Sequence, residues 1–220
     1  MPSMEGIELE PGVYRTGREL IRFDYARHGR PLDWTRVFGR AAPLELEIGT
    51  SSGEFLCRRA QDQPDRDHVG IEIKNDRVRR FVRRAAKLAL TNVVCVHADV
   101  EQVIGCLFPA ASLARIYLLF PDPWPKKRHH KNRVLNRHTL DIFAALLAPG
   151  GHLHLATDDA PYLAWMRSHV AAHPRFAGGV TEQAANPFGY PTRYETYWMA
   201  EGRTITHLDC PVRDAPASGR

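Results

Sequence analysis

Residues 44–53 read Leu-Glu-Leu-Glu-Ile-Gly-Thr-Ser-Ser-Gly, and they predict the first unit of the fold. The apolar pattern of residues 44–48 predicts a strand that ends in a glycine and serine turn at 49–53. A helix is predicted from about residue 54 to 61, and a second strand at 69–73. Strand, tight turn, helix and strand in this order are typical of the repeating unit of an α/β sheet.

The rest of the chain continues the alternation of strands and helices. Apolar residues recur at helical spacing over 75–88, and the arginines there are interpreted as a solvated face. Residues 194–201 fit either a strand or a helix. Further elements are predicted as strands at 92–96, 115–120, 152–156, 179–183 and 204–212, and as helices ending near 107 and covering 136–147 and 159–172. This pattern predicts an α/β fold with a mostly parallel sheet and helices on both faces.

Length and composition indicate one globular domain that buries a substantial core. The 220 residues are 44% hydrophobic and 25% charged, with a formal net charge of +5. This modest excess permits a polyanionic partner without demonstrating one. The four cysteines lack metal-like spacing, no apolar run is long enough to span a membrane, and the N-terminus has no leader pattern. We therefore expect a reduced, cytoplasmic protein without a metal site.

The segment Phe-Pro-Asp-Pro-Trp-Pro-Lys-Lys-Arg-His-His-Lys occupies residues 120–131, directly after a predicted strand. Pro121 and Pro123 each disfavour the helical region for the residue before them, so we expect the chain to leave the strand extended and rigid. Asp122 then offers a carboxylate beside the indole of Trp124 and in front of a cationic block. These are the groups needed to hold a nucleobase on a strand of phosphates.

Residues 126–133 contain five Lys or Arg residues and two His residues. A solvated charge run is the usual explanation of such a block, but its position beside Asp122 favours phosphate binding. Thr157 and Asp158 end the fifth predicted strand. They are either a helix cap or a substrate contact, and a cap can also bind substrate.

Acidic side chains also lie at the ends of the strands predicted at 44–48, 69–73 and 92–96, where ligands of such folds bind. Glu47 lies in an otherwise apolar strand, so a cationic ligand would offset the cost of burying it. Glu72 suits a ribose diol, and the alternative is pairing with Lys74 or Arg77. Asp99 either accepts from an adenine amino group or caps the next helix.

The turn at 49–53 has glycines that allow a ligand to approach the backbone. The dinucleotide fingerprint does not fit, because its glycine positions would hold Ser51 and Glu54. Glu54 would also place negative charge near a pyrophosphate, which favours a cofactor without phosphates. The turn also matches the G-x-S-x-G motif that carries the nucleophile of serine hydrolases. In those enzymes the motif comes after several strands, whereas here it follows the strand predicted at 44–48.

Five motifs together resemble the tRNA (guanine-N7)-methyltransferases, which are S-adenosylmethionine-dependent enzymes. The motifs are Glu-Ile-Gly-x-x-x-Gly-x-Phe-Leu (47–56), Gly-Ile-Glu-Ile (70–73), the 120–131 segment, Ala-Thr-Asp (156–158) and Thr-Arg-Tyr-Glu (192–195). The match runs in order from about residue 44 to 209, and the Phe-Pro-Asp-Pro-Trp block is highly specific. The family usually has Thr-Lys-Phe-Glu as its last motif and commonly has glycine where this chain has Ser51.

The resemblance implies a Rossmann-like class I methyltransferase fold with a seven-stranded sheet and an antiparallel last strand. It implies methylation of guanine N7 in tRNA, at nucleotide 46 of the variable loop, and leaves monomer and homodimer open. Asp122 would be the catalytic residue at the junction of cofactor and guanine. S-adenosylmethionine would be bound by Glu47, Gly49, Gly53, Glu72, Asp99 and Asp122. The tRNA would be bound by Lys126, Asp158, Thr192, Arg193, Tyr194 and Glu195.

Two alternatives stay open. Asp-Pro-x-Trp is also similar to the Asp-Pro-Pro-Tyr segments of amino-methylating DNA and RNA enzymes, which would keep the cofactor and change the target atom. A non-catalytic RNA-binding protein on a degenerate methyltransferase fold is the other alternative. The intact set of Glu47, Glu72, Asp99 and Asp122 argues against it.

Three segments are expected along the chain. Residues 1–42 have no strong period and mix aromatic with basic residues. We interpret them as a loosely ordered extension, apart from a short helix, that contacts RNA or covers the active site. Residues 43–213 are expected to form a single domain, and 214–220 a flexible tail.

Overall fold

The computed structural model describes residues 31–213 and, before them, the backbone of three short strands. β1 (Ile7–Glu10) pairs antiparallel with β2 (Val13–Thr16), which pairs antiparallel with β3 (Leu20–Phe23). The sequence analysis did not predict these strands, because four residues are too few to give a periodic signal. The role suggested for the rest of 1–30 and the tail predicted at 214–220 fall outside the described residues.

The chain forms two compact units, and the first, Met1–Pro109, contains a mostly parallel sheet. Its strand order is β1-β2-β3-β6-β5-β4, and β3, β6, β5 and β4 each run parallel to the next. The elements predicted between residues 44 and 107 are confirmed, as is a short helix before them. After β3 its elements are α1 (Trp34–Phe38), β4 (Leu44–Ile48), α2 (Glu54–Asp62), β5 (Asp67–Glu72), α3 (Asn75–Lys87), β6 (Val93–His97) and α4 (Val100–Leu107).

One apolar cluster joins α2 and α3 to β6 in this unit. Val78, Phe81 and Ala85 recur every three or four residues along α3 and are all buried. The predicted solvated face of α3 is confirmed for the exposed arginines at 79, 80 and 83. The cluster consists of Leu56, Cys57, Ala60, Val78, Phe81, Ala85, Leu90, Val93 and Cys95.

The second compact unit, Ala110–Arg220, has the strand order β7-β8-β10-β9. β7 and β8 are parallel, whereas β10 runs antiparallel to both of its neighbours, as the resemblance implies. The ambiguous segment at 194–201 is helical. The elements are β7 (Leu113–Leu119), a 3-10 helix (Lys127–Asn132), α5 (Arg137–Leu146), β8 (Leu147–Thr157), α6 (Ala160–Ala172), β9 (Thr181–Gln183), α7 (Arg193–Ala200) and β10 (Thr206–Pro211).

The Pro-Gly-Gly sequence at 149–151 lies in an irregular part of β8. Leu147 pairs with Leu113, but the next pair is His152 with Arg115, so β8 carries extra residues at this point. A Cβ at Gly151 would lie 2.9 Å from a backbone oxygen, which explains the glycine there. The sequence therefore marks the end of α5 correctly, but it hides the early start of β8.

Apart from β1–β3, the described part of the chain contributes seven strands, most of them parallel to a neighbour. Within that part, no helix combines the length and apolar character that a membrane crossing needs. Among the same residues, no group of three or more His, Cys, Asp or Glu side chains is arranged to hold a metal ion. Cys57, Cys95 and Cys210 are buried free thiols, as their apolar surroundings in the sequence predict.

Gly53→Ala should lower the free energy of unfolding by about 3 kcal/mol, and Gly49→Ala by about 1 kcal/mol. Both glycines have φ of 73°, so both variants carry the cost of a left-handed alanine. A Cβ at Gly53 would also lie 2.2 Å from the ring of Phe81, whereas no described atom lies within 4 Å of one at Gly49. Denaturant unfolding measures both values. Equal losses would show that the contact with Phe81 relaxes without cost.

Candidate active site

Parallel pairing brings three acids to one edge of the sheet in the first unit. Glu47 on β4 is opposite Gly70 on β5, and Glu72 on β5 is opposite His97 on β6. Asp99 lies two residues after the end of β6 and is the N-cap of α4. The carboxyl ends of β4, β5 and β6 therefore present the acids that the sequence singled out, at the edge where ligands of such sheets bind.

Glu47 is buried, with a relative exposure of 5%, and accepts a hydrogen bond of 2.5 Å from Thr50 Oγ1. Burial raises the pKa of Glu47 to about 8, the charges of Glu54 and Glu72 act in the same direction, and the bond from Thr50 opposes them. A cation placed beside this carboxylate would favour its ionised form. The geometry thus fits the cationic ligand that the sequence suggests.

Glu72 is buried and holds two backbone amides. Its Oε1 accepts from Lys74 N at 2.8 Å and its Oε2 from Ser51 N at 3.0 Å, while Arg77 Nη1 lies 3.7 Å from Oε2. The pairing with Arg77 is confirmed, but Lys74 contributes its amide and not its side chain. Each carboxylate oxygen has two acceptor positions, so this pattern leaves capacity for a diol.

The turn between β4 and α2 has three residues in the left-handed region. Gly49 and Gly53 have φ of 73°, and Ser51 has φ of 52°. Ser51 thus adopts the conformation of the glycine that is common in the family, at a cost of about 1 kcal/mol. Its N–H still bonds to Glu72, so the departure from the family pattern leaves the turn intact.

Thr50 and Gly70 are site residues that the sequence analysis missed. A Cβ at Gly70 would lie 2.7 Å from Thr50 Cγ2, so only glycine leaves room for Thr50 to reach Glu47. A glycine inside a strand often marks such a close approach. That signal was present in the Gly-Ile-Glu-Ile motif at 70–73.

Asp99 and Glu54 both have partners within the first unit. Asp99 accepts from Glu101 N at 3.0 Å, which confirms the cap alternative, and its contact with adenine stays a prediction. Glu54 forms an ion pair of 2.7 Å with Arg84, whose Nε donates to Ser52 O at 3.0 Å. Arg84 is therefore an exception to the solvated face of α3.

In the second unit, Asp122 is exposed and forms no hydrogen bond or ion pair with the described residues. The expectation of extended backbone is wrong at Phe120, whose φ is 51°, and also for Trp124, at 46°. Proline disfavours the right-handed helical region but does not exclude this one, and the tertiary contacts decide. Strained residues of this kind cost about 1–3 kcal/mol each and cluster at functional sites.

The basic block divides into exposed and buried cations. Lys126, Lys127, Arg128 and Lys131 are exposed, but Arg133 has a relative exposure of 3% and its Nε donates to Pro123 O at 2.8 Å. The expectation that the whole block contacts phosphate is therefore not supported for Arg133.

Asp158 forms an ion pair of 2.6 Å with Arg203, whose guanidinium lies 3.6 Å from the ring centroid of Trp198. The cap alternative is wrong for Asp158, because the cap of α6 is Asp159, which accepts from Tyr162 N at 2.7 Å. The end of β8 and the start of α6 therefore each lie one residue later than the sequence indicated.

Thr192 and Glu195 form a capping box at the start of α7, and both are buried. Glu195 accepts from Thr192 N at 2.6 Å, from Asn186 Nδ2 at 2.8 Å, and pairs with His207 Nε2 at 2.9 Å. Burial raises the pKa of Glu195, but the bonds from His207, Thr192 and Asn186 outweigh it and the net shift is downward. The carboxylate is thus engaged inside the unit.

Between these buried residues, Arg193 and Tyr194 are exposed. The ring of Tyr194 stacks on that of Phe120, with centroids 6.2 Å apart and planes at 27°. Phe120 is a further residue that the sequence analysis did not assign to the site. In the motif at 192–195, the first and last residues are therefore buried and the two between them are exposed.

Comparison with known proteins identifies the family. The family model described as "Putative methyltransferase" matches residues 41–208. The chain is 40% identical over 190 residues to the tRNA (guanine-N(7)-)-methyltransferase of Alkalilimnicola ehrlichii, covering 86% of this chain and 80% of that one. It is 37% identical over 180 residues to the protein of the same name from Halorhodospira halophila, covering 80% and 78%. The chain belongs to the tRNA (guanine-N(7)-)-methyltransferase family.

The fold agrees with this family assignment. The structure matches that of the 16S rRNA methyltransferase KamB with a TM-score of 0.61 at 16% identity, covering 84% of this chain and 95% of that one. A likeness at this identity shows the fold alone. Both the resemblance found in the sequence and the predicted class I methyltransferase fold are thus confirmed, while the individual residue roles stay predictions.

Glu47→Gln should stabilise the ligand-free methyltransferase at pH 8, and the gain should disappear as the pH falls towards 4.5. Above pH 4.5 the carboxyl ionises in the unfolded chain, but in the folded chain it ionises only near pH 8. The folded state therefore loses stability across this window, and a neutral glutamine does not. Thermal unfolding at several pH values checks this, with Glu101→Gln on the exposed surface as control. If the unfolding temperature changes with pH in the same way for the unaltered protein and both variants, Glu47 is not a buried neutral carboxyl.

Proposed function

We propose that this chain methylates guanine N7 in tRNA with S-adenosylmethionine as the donor, at nucleotide 46 of the variable loop. Its family membership supports the substrate class. The observation that carries the assignment of the site is Asp122, an exposed carboxylate without a hydrogen-bond or ion-pair partner among the described residues, next to strained backbone. A carboxylate in this setting is available to a substrate.

The acids of the first unit fit S-adenosylmethionine. Glu47 meets the cationic part of the donor, because it is a buried carboxylate whose hydrogen-bond partner is the neutral hydroxyl of Thr50, and a cation would offset the cost of its burial. Glu72 accepts from the ribose hydroxyls and Asp99 from the adenine amino group. Gly49 leaves open space where a side chain would stand, which allows the donor to lie against the turn. Arg84 is the cation paired with Glu54 at the start of α2, so it is already engaged and is not offered to a cofactor phosphate.

S-adenosylmethionine held by Glu47, Glu72 and Asp99 would supply a methyl group on a positively charged sulfur. Transfer of this methyl to the lone pair of guanine N7 would form the N–C bond as the S–C bond breaks, with neutral S-adenosylhomocysteine as the leaving group. Because N7 carries no proton, no residue has to act as a base to generate the nucleophile. The chain contributes mostly by aligning the reactants and excluding water, which supplies about 7–11 kcal/mol in favourable cases.

Asp122 orients the base and stabilises its product charge. Methylation leaves positive charge on the purine and makes its N1–H more acidic. A carboxylate that accepts from this edge of the guanine therefore interacts more strongly as the reaction proceeds, which is the condition for catalysis.

The exposed residues of the second unit contact the tRNA. Lys126 and the neighbouring exposed cations bind phosphates, and Arg193 adds a further charge. The ring of Tyr194, supported by Phe120, offers a surface on which a base can stack. Stacked RNA presents N7 in a groove that side chains reach poorly, so the target base has to be exposed.

The residues of the predicted tRNA site that are already bonded within the second unit act through their neighbours. Thr192 and Glu195 hold the start of α7, and thereby the exposed pair between them. Asp158 holds Arg203 over Trp198. Through these hydrogen bonds and ion pairs, they hold in place the residues that contact the tRNA.

Incubation of unmodified tRNA with the protein and labelled donor, followed by nucleoside analysis, tests the function. We expect label in 7-methylguanosine. Label in an amino-methylated base would instead support the amino-methylating alternative, and the absence of donor binding in calorimetry would support the non-catalytic one. Methylation at another guanine would refute only the assigned position.

Asp122→Ala should lower kcat by about 10²–10³-fold, as expected for loss of one group that stabilises the transition state. Donor affinity should change less than about threefold, because the binding acids lie in the first unit. Asp65→Ala is the matched control, since Asp65 is exposed and precedes the amino end of β5. A normal kcat for Asp122→Ala would remove this residue from the proposed role.

A further inference from the structure

Arg133 differs from the other cations of the basic block because its side chain is buried. Its guanidinium carbon lies 4.8 Å from the ring centroid of Tyr162 and 4.7 Å from that of Trp165, both on α6. Its backbone N–H donates to His130 O at 3.1 Å. The side chain is thus enclosed by aromatic rings and is not available to a phosphate in solution.

The same side chain is hydrogen-bonded to the segment that carries Asp122. Arg133 Nε donates at 2.8 Å to the backbone carbonyl of Pro123, which is the residue directly after Asp122. A hydrogen bond from a charged donor is roughly twice as strong as a neutral one. The bond therefore ties the backbone beside the Asp122 carboxylate to α6.

Residues 120–125 have few other hydrogen bonds that fix their position. Pro121, Pro123 and Pro125 have no N–H to donate, and the Asp122 side chain itself forms no hydrogen bond or ion pair within the described part of the chain. Phe120 N bonds to Ala156 O at 2.8 Å and anchors the start of the segment. The Arg133 bond anchors it beyond Asp122, between two residues with strained backbone.

We infer that Arg133 is a positioning residue that sets the place of the Asp122 carboxylate through the Pro123 carbonyl, and that it is not a phosphate contact. The inference rests on the proposed function, because it concerns the residue that would meet the guanine. It assigns to a member of the basic block a role that neither the charge run nor the family resemblance indicates.

The geometry requires arginine and not merely a positive charge. A guanidinium is flat, so it can lie against two rings while one of its N–H groups donates within its plane. Lysine would keep the charge but has neither the plane nor the fixed donor direction. The conservative substitution therefore separates positioning from simple charge.

The experiment compares Arg133→Lys with Lys126→Gln in the full-length protein, with Arg58→Gln as a control on an exposed ion pair of the first unit. Arg133→Lys should lower kcat on the order of 10²-fold, because a small displacement of a reacting group has this effect. Its KM for tRNA, its donor affinity and the salt dependence of tRNA binding should stay close to those of the unaltered protein.

Lys126→Gln should show the opposite pattern. Loss of one phosphate contact weakens tRNA binding and reduces the salt slope by about one, with kcat at saturating tRNA nearly retained. If Arg133→Lys behaves in this way, or keeps a normal kcat, Arg133 is a phosphate contact or a neutral residue and the inference is overturned.

A second pair of variants covers the outcome in which Arg133→Lys does not fold. Trp165→Leu removes one of the two enclosing rings, and Trp165→Phe keeps a ring. We expect a lower kcat for Trp165→Leu and recovery for Trp165→Phe, with unchanged salt slopes for both. Equal kcat values for the two would overturn the inference. Failure of the proposed function is distinguished beforehand, since the unaltered protein would then form no 7-methylguanosine.

Discussion

The parallel pairing of β4, β5 and β6 is the constraint on which the candidate cofactor site depends. It places the ends of three strands side by side, so that Glu47 and Glu72 are buried at one edge of the sheet. The close contact of Thr50 with Gly70 then gives Glu47 a hydrogen bond without giving it a positive partner. Burial raises the pKa of this carboxyl, and a cation placed beside it would offset the cost of burying its ionised form.

In the second unit, function depends on which polar residues are already bonded within the fold. Glu195 and Asp158 are satisfied by His207 and Arg203, whereas Asp122 is exposed. An acid that is already bonded within the fold stabilises local structure, and an exposed acid is available to a ligand, although both occur in motifs of the same family resemblance. Membership in a motif therefore does not by itself make a residue a substrate contact.

Much of the fold was predictable because its signals are local. Most strands and helices from residue 44 onward follow from apolar periodicity, although this left α7 ambiguous, and the acids at the strand ends follow from the topology that this periodicity implies. The three strands before residue 31 were missed because each is only four residues long. The backbone of Phe120 was predicted wrongly, since a following proline disfavours the right-handed helical region but does not exclude the left-handed one that Phe120 adopts.

The sequence by itself determined the family, the class I methyltransferase fold and the acids that end its strands, because short motifs and periodic patterns carry this information. Only the tertiary structure decided which side chains are buried and bonded. Arg133 lies in a run of exposed cations, yet it is enclosed by two rings of α6, and Glu195 depends on His207 of β10. The burial of these polar side chains is set by residues distant in the chain, so no local pattern reveals it.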